Sequence, residues 1–473
     1  MASQAQVTLD TTAWRNTPLR TLLELAWPIS ISLLSFGVMT FVDTLFVSTI
    51  GTSALAGVGL AGVATFALYC FSMGLLRGVK VLVSQAIGAN RREEIGSYLG
   101  AGLIAAGVLG VLTVILGEAV AHVLPLVAAS PEAGVAAQDY LRLRVIGAPL
   151  VLAFVAIREL RYGESDTRSP MVAGIVGNLA NIGLNYLFVI VLLWGVRGSA
   201  LATLAGQVIE LSVVVIAQSR VGFDVRRTTR AHLRELFDVG IPTGLQFLME
   251  MGSFSLLTVI VSTMGEEQMA AHHIAIQVIH FSFLPTVALA EAGSVLAGQA
   301  VGANEDDLVK VVARRALLAS SLYTGMWTLL LVFAGDLIIR LFTEAPSLHA
   351  VTRMLLFVAS AFQIADGAAA VARGVLRGAG DAKVPAQLGV LCAWVFTPPL
   401  GWLLGRVLGL GALGGWIGLS LEIIVLALLC WRRLERGDWR KLARASRERM
   451  SQTPAEMPNL DALEGLAASS SVA

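Results

Sequence analysis

Charge is what this chain most lacks. Of its 473 residues, 34 are Lys or Arg and 33 Asp or Glu, 14% in all, where a soluble globular domain carries about 25%. A net charge of +1 leaves no basic footprint for nucleic acid. The composition is also far from that of a disordered chain. Cysteine is nearly absent: Cys70, Cys392 and Cys430 each stand alone in an apolar run, without CxxC or metal-ligand spacing, and read as small buried hydrophobes. Residues 1–20 are polar and lack the short apolar core and cleavage site of a secretory signal. Neither a nucleophile–base pair nor a metal-ligand cluster stands out, so nothing supports an enzyme. What the chain has in abundance is apolar sequence, 56% of all residues, with a mean hydropathy of +0.75. That profile predicts a polytopic membrane protein.

A helix crossing the ~30 Å hydrocarbon core needs about 20 apolar residues. Twelve stretches qualify, at roughly 22–49, 54–79, 97–125, 138–159, 169–194, 198–219, 236–263, 269–297, 310–334, 350–374, 384–406 and 411–432. Their length and lack of strict alternation predict an all-α bundle, not a barrel. Basic residues accumulate in alternate connections, among them Arg91 and Arg92, Arg158 to Arg168, Arg220 to Arg234 and Arg432 to Arg436. The positive-inside rule then places both termini in the cytoplasm. The expected layout is an N-terminal segment over 1–20, spans one to six over 21–219, a basic linker over 220–235, spans seven to twelve over 236–435, and a disordered cytoplasmic tail over 436–473.

The sequence is written twice. A shift of 214 residues superposes Pro28 on Pro242, Val47-Ser48-Thr49 on Val261-Ser262-Thr263, and Gln85-Ala86-Ile87-Gly88-Ala89-Asn90 on Gln299-Ala300-Val301-Gly302-Ala303-Asn304. A shift of 215 brings Asp166 onto Asp381 and Pro170 onto Pro385, and one of 212 brings Glu210 onto Glu422. Six spans repeated as six spans keep one orientation, which makes the copies parallel repeats about an axis along the bilayer normal. Two such bundles enclose a cleft that can open to either face. That is the logic of a transporter.

A duplicated scaffold preserves packing, so the places where the copies differ in charge are the candidate sites. An ionisable group at mid-membrane costs about 2.5–3.5 kcal/mol on insertion scales. Asp43 in span 1 faces Leu257 in the repeat, and Glu250 in span 7 faces Phe36. Asp366 lies in span 10, one turn after Gln363, as Glu250 lies one turn after Gln246. None has an oppositely charged neighbour at i±3 or i±4. Each reads either as a structural carboxyl bonded to another helix or as a carboxylate in a water-filled cavity binding H⁺, Na⁺ or a cationic substrate. Asn178, Asn181 and Asn185 share one face of span 5, as helix–helix glue or as the lining of an ion cavity around Asp43. Arg77 and Lys80 in span 2 have Glu291 and Ser294 as repeat partners in span 8. Opposite charges at pseudo-symmetric positions predict an Arg77–Glu291 gate between the halves, the alternative being groups that snorkel unpaired to the interface. Glu210 and Glu422, present in both copies, read as inherited packing. His272 and His273 lack carboxylates at metal-ligand spacing. Pro28, Pro149, Pro242, Pro285 and the Pro398-Pro399 pair predict kinks.

Taken together, several of these segments resemble the multidrug and toxic compound extrusion (MATE) transporters over residues 20–435. They are Val42-Asp43-Thr44, the doubled Gln-Ala-x-Gly elements at 85–88 and 299–302, Gly163-Glu164-Ser165-Asp166-Thr167-Arg168-Ser169-Pro170, and Leu376-Arg377-Gly378-Ala379-Gly380-Asp381. The segments from Gly240 to Glu250, from Gln363 to Gly367 and from Asn181 to Tyr186 are most similar to the NorM-like branch. The resemblance implies a V-shaped pair of six-helix bundles in the bacterial inner membrane, working as a monomer without cofactors. It implies export of cationic or amphipathic drugs by antiport with Na⁺ or H⁺. On that similarity Asp43, with Asn181 and Asn185, forms the N-lobe coupling site, and Glu250 and Asp366 form a C-lobe site open to Na⁺. Asn178, Gln246 and Gln363 complete the substrate cavity. Asn185 stands where the other prokaryotic branch often carries Asp, and Leu296 where many members have Arg. The alternative is a lipid-linked oligosaccharide flippase of the same broad fold. It would want more cations in the central cavity, of which Arg77 and Lys80 are a faint hint.

Overall fold

The computed structural model describes residues 13–452; the remainder of the segment expected over 1–20, and the tail beyond 452, lie outside the described residues. The described chain is helical throughout. Its long helices are α1 (Pro18–Ser48), α2 (Thr52–Gly88), α3 (Ile95–Val127), α4 (Pro131–Ile146), α5 (Ala148–Gly163), α6 (Arg168–Asn185) and α7 (Gly195–Ser219). The second half continues with α8 (Arg230–Ser262), α9 (Glu266–Gly302), α10 (Asp306–Arg340), α11 (Pro346–Gly378), α12 (Lys383–Leu400), α13 (Ala412–Arg436) and α14 (Arg440–Gln452). Among the described residues eleven helices are long and apolar enough to cross a membrane, and α4 with α5, bent by 50°, gives a twelfth when the pair is taken as one span. The span expected as one helix over 138–159 is therefore two. The break falls at Gly147, just ahead of Pro149, which has no N–H to continue the ladder. The other expected kinks do not break the helices: α1, α8, α9 and α12 stay helical through Pro28, Pro242, Pro285 and Pro398-Pro399.

The repeat is visible in the backbone. Asn90 and Asn304 end α2 and α9 with positive φ, 63° and 61°. Asn tolerates the left-handed region better than other non-Gly residues. In each copy the next residue closes the helix on a carbonyl five back, Arg91 N–H on Ala86 and Glu305 N–H on Ala300, both at 2.8 Å. The helices α6 and α12 both finish in π-helical turns, Tyr186–Val191 and Gly401–Val407.

The lobes meet along α1, α2, α8 and α9, at the end where α1 begins and α14 packs, termed the terminal face. Leu22, Leu25, Ala26 and Ile29 of α1 share one core cluster with Ala288 to Val301 of α9. Small residues let α2 cross its partners closely. A Cβ on Gly88 would stand 2.1 Å from the Gln299 carbonyl oxygen, and one on Gly302 would stand 2.0 Å from that of Gln85. Side chains then staple the crossing reciprocally. Gln85 Nε2 donates to the Gly378 carbonyl and Gln299 Nε2 to Ser165 Oγ, both at 2.9 Å.

The segment after α13 is not a loose tail as far as residue 452. It forms α14, because Trp439 and Ala443 give it an apolar face that is fully buried against the C-lobe core. Arg440 and Arg447 pair with Asp307 and Asp306 at 2.7 Å. Ser446 reaches across the seam to Gln85 Oε1 at 2.6 Å, while Trp14 donates to Gln299 Oε1 at 3.0 Å.

Candidate functional site

Three groups of buried polar side chains stand out, one in each lobe and one between them. In the N-lobe, α1, α4, α6 and α7 converge on Asp43, which is 3% exposed. Asn185 and Asn181 donate Nδ2 to its Oδ1 at 2.9 and 3.1 Å. Thr203 and Tyr140 donate hydroxyls to its Oδ2 at 2.5 and 3.1 Å. All four donors are neutral, and among the described residues Asp43 joins no salt bridge within 4 Å. Each carboxylate oxygen thus receives two hydrogen bonds, a complete complement for a buried anion. Among the described residues the buried amide oxygens of Asn181 and Asn185 find no hydrogen-bond partner. Thr203 Oγ also lies 3.0 Å from the Ser199 carbonyl, so its proton has a second acceptor at hand. The expected asparagine stripe reaches Asp43 at two of its three positions. Asn178 instead bonds Ser35 and the Gly174 carbonyl. Tyr140 and Thr203 are neutral, with Leu355 and Gly415 as their counterparts, so a comparison of charge between the two copies does not mark them.

In the C-lobe, Glu250 is not a lone carboxylate. Arg373 of α11 donates Nη1 to Glu250 Oε1 at 2.9 Å, and Gln246 Nε2 donates to the same oxygen at 2.9 Å. The seat is tight: a Cβ on Gly389 of α12 would stand 2.4 Å from that oxygen. Helix-local reasoning about i±3 and i±4 neighbours misses Arg373 because it comes from another helix. The 215-residue shift, which sets it opposite Arg158, could have drawn attention to it. Asp366 makes no hydrogen bond or salt bridge among the described residues. Gln363 is occupied by Ser282, Nε2 donating at 2.9 Å, and does not join Glu250. Glu422 accepts a hydrogen bond from Thr397 and lies within electrostatic reach of Glu250, Asp366 and Arg373.

Between the lobes, Arg77 Nη1 of α2 meets Glu291 Oε1 of α9 at 2.9 Å. The expected pair is therefore present, within a larger network. Lys80, fully buried, contacts Glu291 and stands 3.5 Å from Glu159 of α5. Arg377 of α11 reaches Glu291 at 3.4 Å, and Arg158 reaches Glu159 at 2.9 Å. Arg77 also stacks on Phe247 of α8, 4.3 Å from the ring centre. One C-lobe carboxylate thus gathers two N-lobe cations and one C-lobe cation.

Buried carboxylates in two unlike sites, on parallel six-helix repeats that touch at one face, define a secondary-transporter architecture. The MatE family profile matches residues 28–187 and again 242–403, so the chain belongs to that family, the MATE transporters. A relative described as a probable multidrug resistance protein NorM, from Xylella fastidiosa strain 9a5c, is 32% identical over 378 residues, covering 76% of this chain and 80% of its own. Another of the same description, from Rhodopseudomonas palustris, is 29% identical and covers 91% and 94%. A crystal structure of MATE in the bent conformation superposes with a TM-score of 0.85 at 22% identity, covering 93% of this chain and 99% of that one. These relatives do not favour the flippase alternative.

Proposed function

We propose that this protein is a secondary-active exporter of amphipathic organic cations, driven by inward movement of H⁺, in the cytoplasmic membrane of a bacterium. It works as a monomer and without enzymatic activity, its terminal face is cytoplasmic, and the ion network between the lobes is the gate on that face. The observation that carries the reading is Asp43, a buried carboxylate held by four neutral donors and, among the described residues, paired with no cation. A side chain so expensive to place in a membrane points to an ion that comes and goes.

The geometry supports H⁺ over Na⁺ at Asp43. Protonation of Oδ2 needs only a change of hydroxyl direction. Thr203 turns its proton to the Ser199 carbonyl, and its oxygen then accepts from the acid. Na⁺ is a hard cation that takes oxygen ligands, yet Asn181 and Asn185 offer Asp43 their N–H groups, so both amides would have to turn over.

The energetics set a limit. A membrane potential supplies ~2.3 kcal/mol per charge per 100 mV, against about 1.4 kcal/mol for each tenfold gradient. One proton at about 150 mV therefore drives an uncharged substrate outward by more than two decades. For a monovalent cation leaving as one proton enters, the voltage cancels and the pH gradient or a second ion must do the work. Acids in both lobes provide for that second ion. Efflux of a fluorescent cation from proteoliposomes under separate pH and Na⁺ gradients tests the reading. A pH gradient alone is expected to drive export, and Asp43→Asn to abolish it; export driven by Na⁺ alone and indifferent to D43N would refute it.

A further inference from the structure

We propose that Arg373 is a tethered cation that occupies Glu250 in place of the transported one, so that an organic cation enters the C-lobe site only by displacing a guanidinium. This rests on the exporter reading above and adds a specificity-determining residue to it. The pair is close, 2.9 Å, and partly accessible, with side-chain exposures of 18% for Arg373 and 27% for Glu250, so a solute can compete for it.

The displaced guanidinium has somewhere to go. Asp366 lies two turns before Arg373 on the same helix, the direction in which helical side chains lean, and is unbonded among the described residues. It and Glu422 are within the electrostatic reach of Arg373. Three carboxylates therefore lie within reach of Arg373, and the arrival of a second cation at Glu250 moves the guanidinium to another carboxylate without leaving a buried charge alone.

The repeat gives independent support. At the equivalent position the N-lobe carries Arg158, bonded to the adjacent Glu159 at 2.9 Å. In the C-lobe the residue beside Arg373 is Gly374, and Glu250 stands where the N-lobe has Phe36. The arginine is common to both copies. Its partner has moved from the neighbouring residue to the face of another helix.

The test is equilibrium binding of tetraphenylphosphonium, a monovalent cation without hydrogen-bond donors, to the purified full chain, with unfolding temperature measured in parallel. If Glu250 is free about a tenth of the time, Arg373→Gln binds about tenfold tighter than wild type. R373K, which keeps the charge, stays near wild type, and the gain vanishes in E250Q/R373Q. Unchanged or weaker binding by a folded R373Q overturns the assignment, as does an R373K that behaves like R373Q. Should R373Q fail to fold, Glu250→Gln decides: the assignment requires much weaker binding than wild type, and unchanged binding ends it. A wild type that neither binds nor exports the cation sinks the exporter reading instead, so the two failures are distinguishable.

Discussion

Neutralising Glu291 should open the seam between the lobes. A charge swap of Arg77 and Glu291 would be the obvious experiment for an isolated pair. Here it would set an arginine at 291 against Lys80 and Arg377, which both contact that carboxylate, and it would fail for reasons unrelated to the pair. Glu291→Gln removes the charge and keeps the shape. Lys80, fully buried, then keeps only Glu159, which is already shared with Arg158. Removing one partner of a buried ion pair costs about 3–5 kcal/mol. The cost falls on the closed arrangement, because Glu291 meets Arg77 and Lys80 only while the lobes are together. Even at about 3 kcal/mol, the balance between closed and open forms shifts by more than a hundredfold. Spin labels at Glu93 and Asp307, exposed on opposite lobes at the terminal face, would read the shift as a longer inter-label distance in a larger fraction of molecules. Lys80→Met added to E291Q removes the orphaned cation and should recover part of the closed population, since apolar replacements of buried ion pairs are often neutral. An unchanged distance distribution in E291Q, with wild-type melting, would refute the claim that this network holds the face shut.

Three further outcomes are expected. Thr203→Val and Tyr140→Phe each delete a hydrogen bond to a buried carboxylate, about 1.5–3 kcal/mol; thermal melts should drop accordingly in wild type and far less in D43N, the double-mutant cycle reporting the coupling to Asp43. Gly302→Ala places a Cβ 2.0 Å from the Gln85 carbonyl oxygen, so the helices must part there, and the same spin labels should report separation without any change of charge. Trp439→Ala empties a fully buried site under α14, a loss of about 3–5 kcal/mol; release of the helix should appear as rapid proteolysis near residue 440, and an intact, protease-resistant terminus would show that α14 is held by its ion pairs alone.

How much of this was legible in the sequence follows from the range of the interactions involved. Apolar runs of span length and an ungapped self-match from Pro28 to Asn90 are local, one-dimensional signals, and they carry the fold. So does the charge difference at Arg77 and Glu291, because pseudo-symmetry converts a comparison along the chain into a contact across the seam. The break at Gly147 is short and set by a glycine ahead of a proline inside an otherwise apolar stretch, which hydropathy averages away. The helix after residue 440 is strongly charged, so composition reads it as tail; its order comes from Trp439 and Ala443, two side chains whose burial depends on a surface formed by distant helices. Arg373 was hidden for the same reason, since its partner lies 123 residues away on α8.

The two lobes make the same point through their differences. Asp43 has Leu257 as its counterpart, and Leu257 packs against Gly401 and Gly415, within 3 Å of where their Cβ atoms would lie. Gly415 answers to Thr203 by the 212-residue shift, and Gly401 falls one residue past the counterpart of Asn185. The polar contacts of the N-lobe site have thus been replaced together by an apolar set of compatible volume, a buried leucine filling the space that two glycines leave. A single change would have stranded a buried carboxylate or a buried donor, at about 1–3 kcal/mol for each unpaired group, so the positions had to change as a unit. Putting the N-lobe site back therefore takes more than one substitution. Leu257→Asp alone should destabilise the protein severely, a buried charge with no donors. Leu257→Asp with Gly415→Thr and Leu400→Asn should recover a large part of that loss in a thermal melt, because the helices already stand in the arrangement that holds Asp43. If the triple variant melts no higher than the single one, the lobes do not share the packing frame on which the comparison of their sites depends.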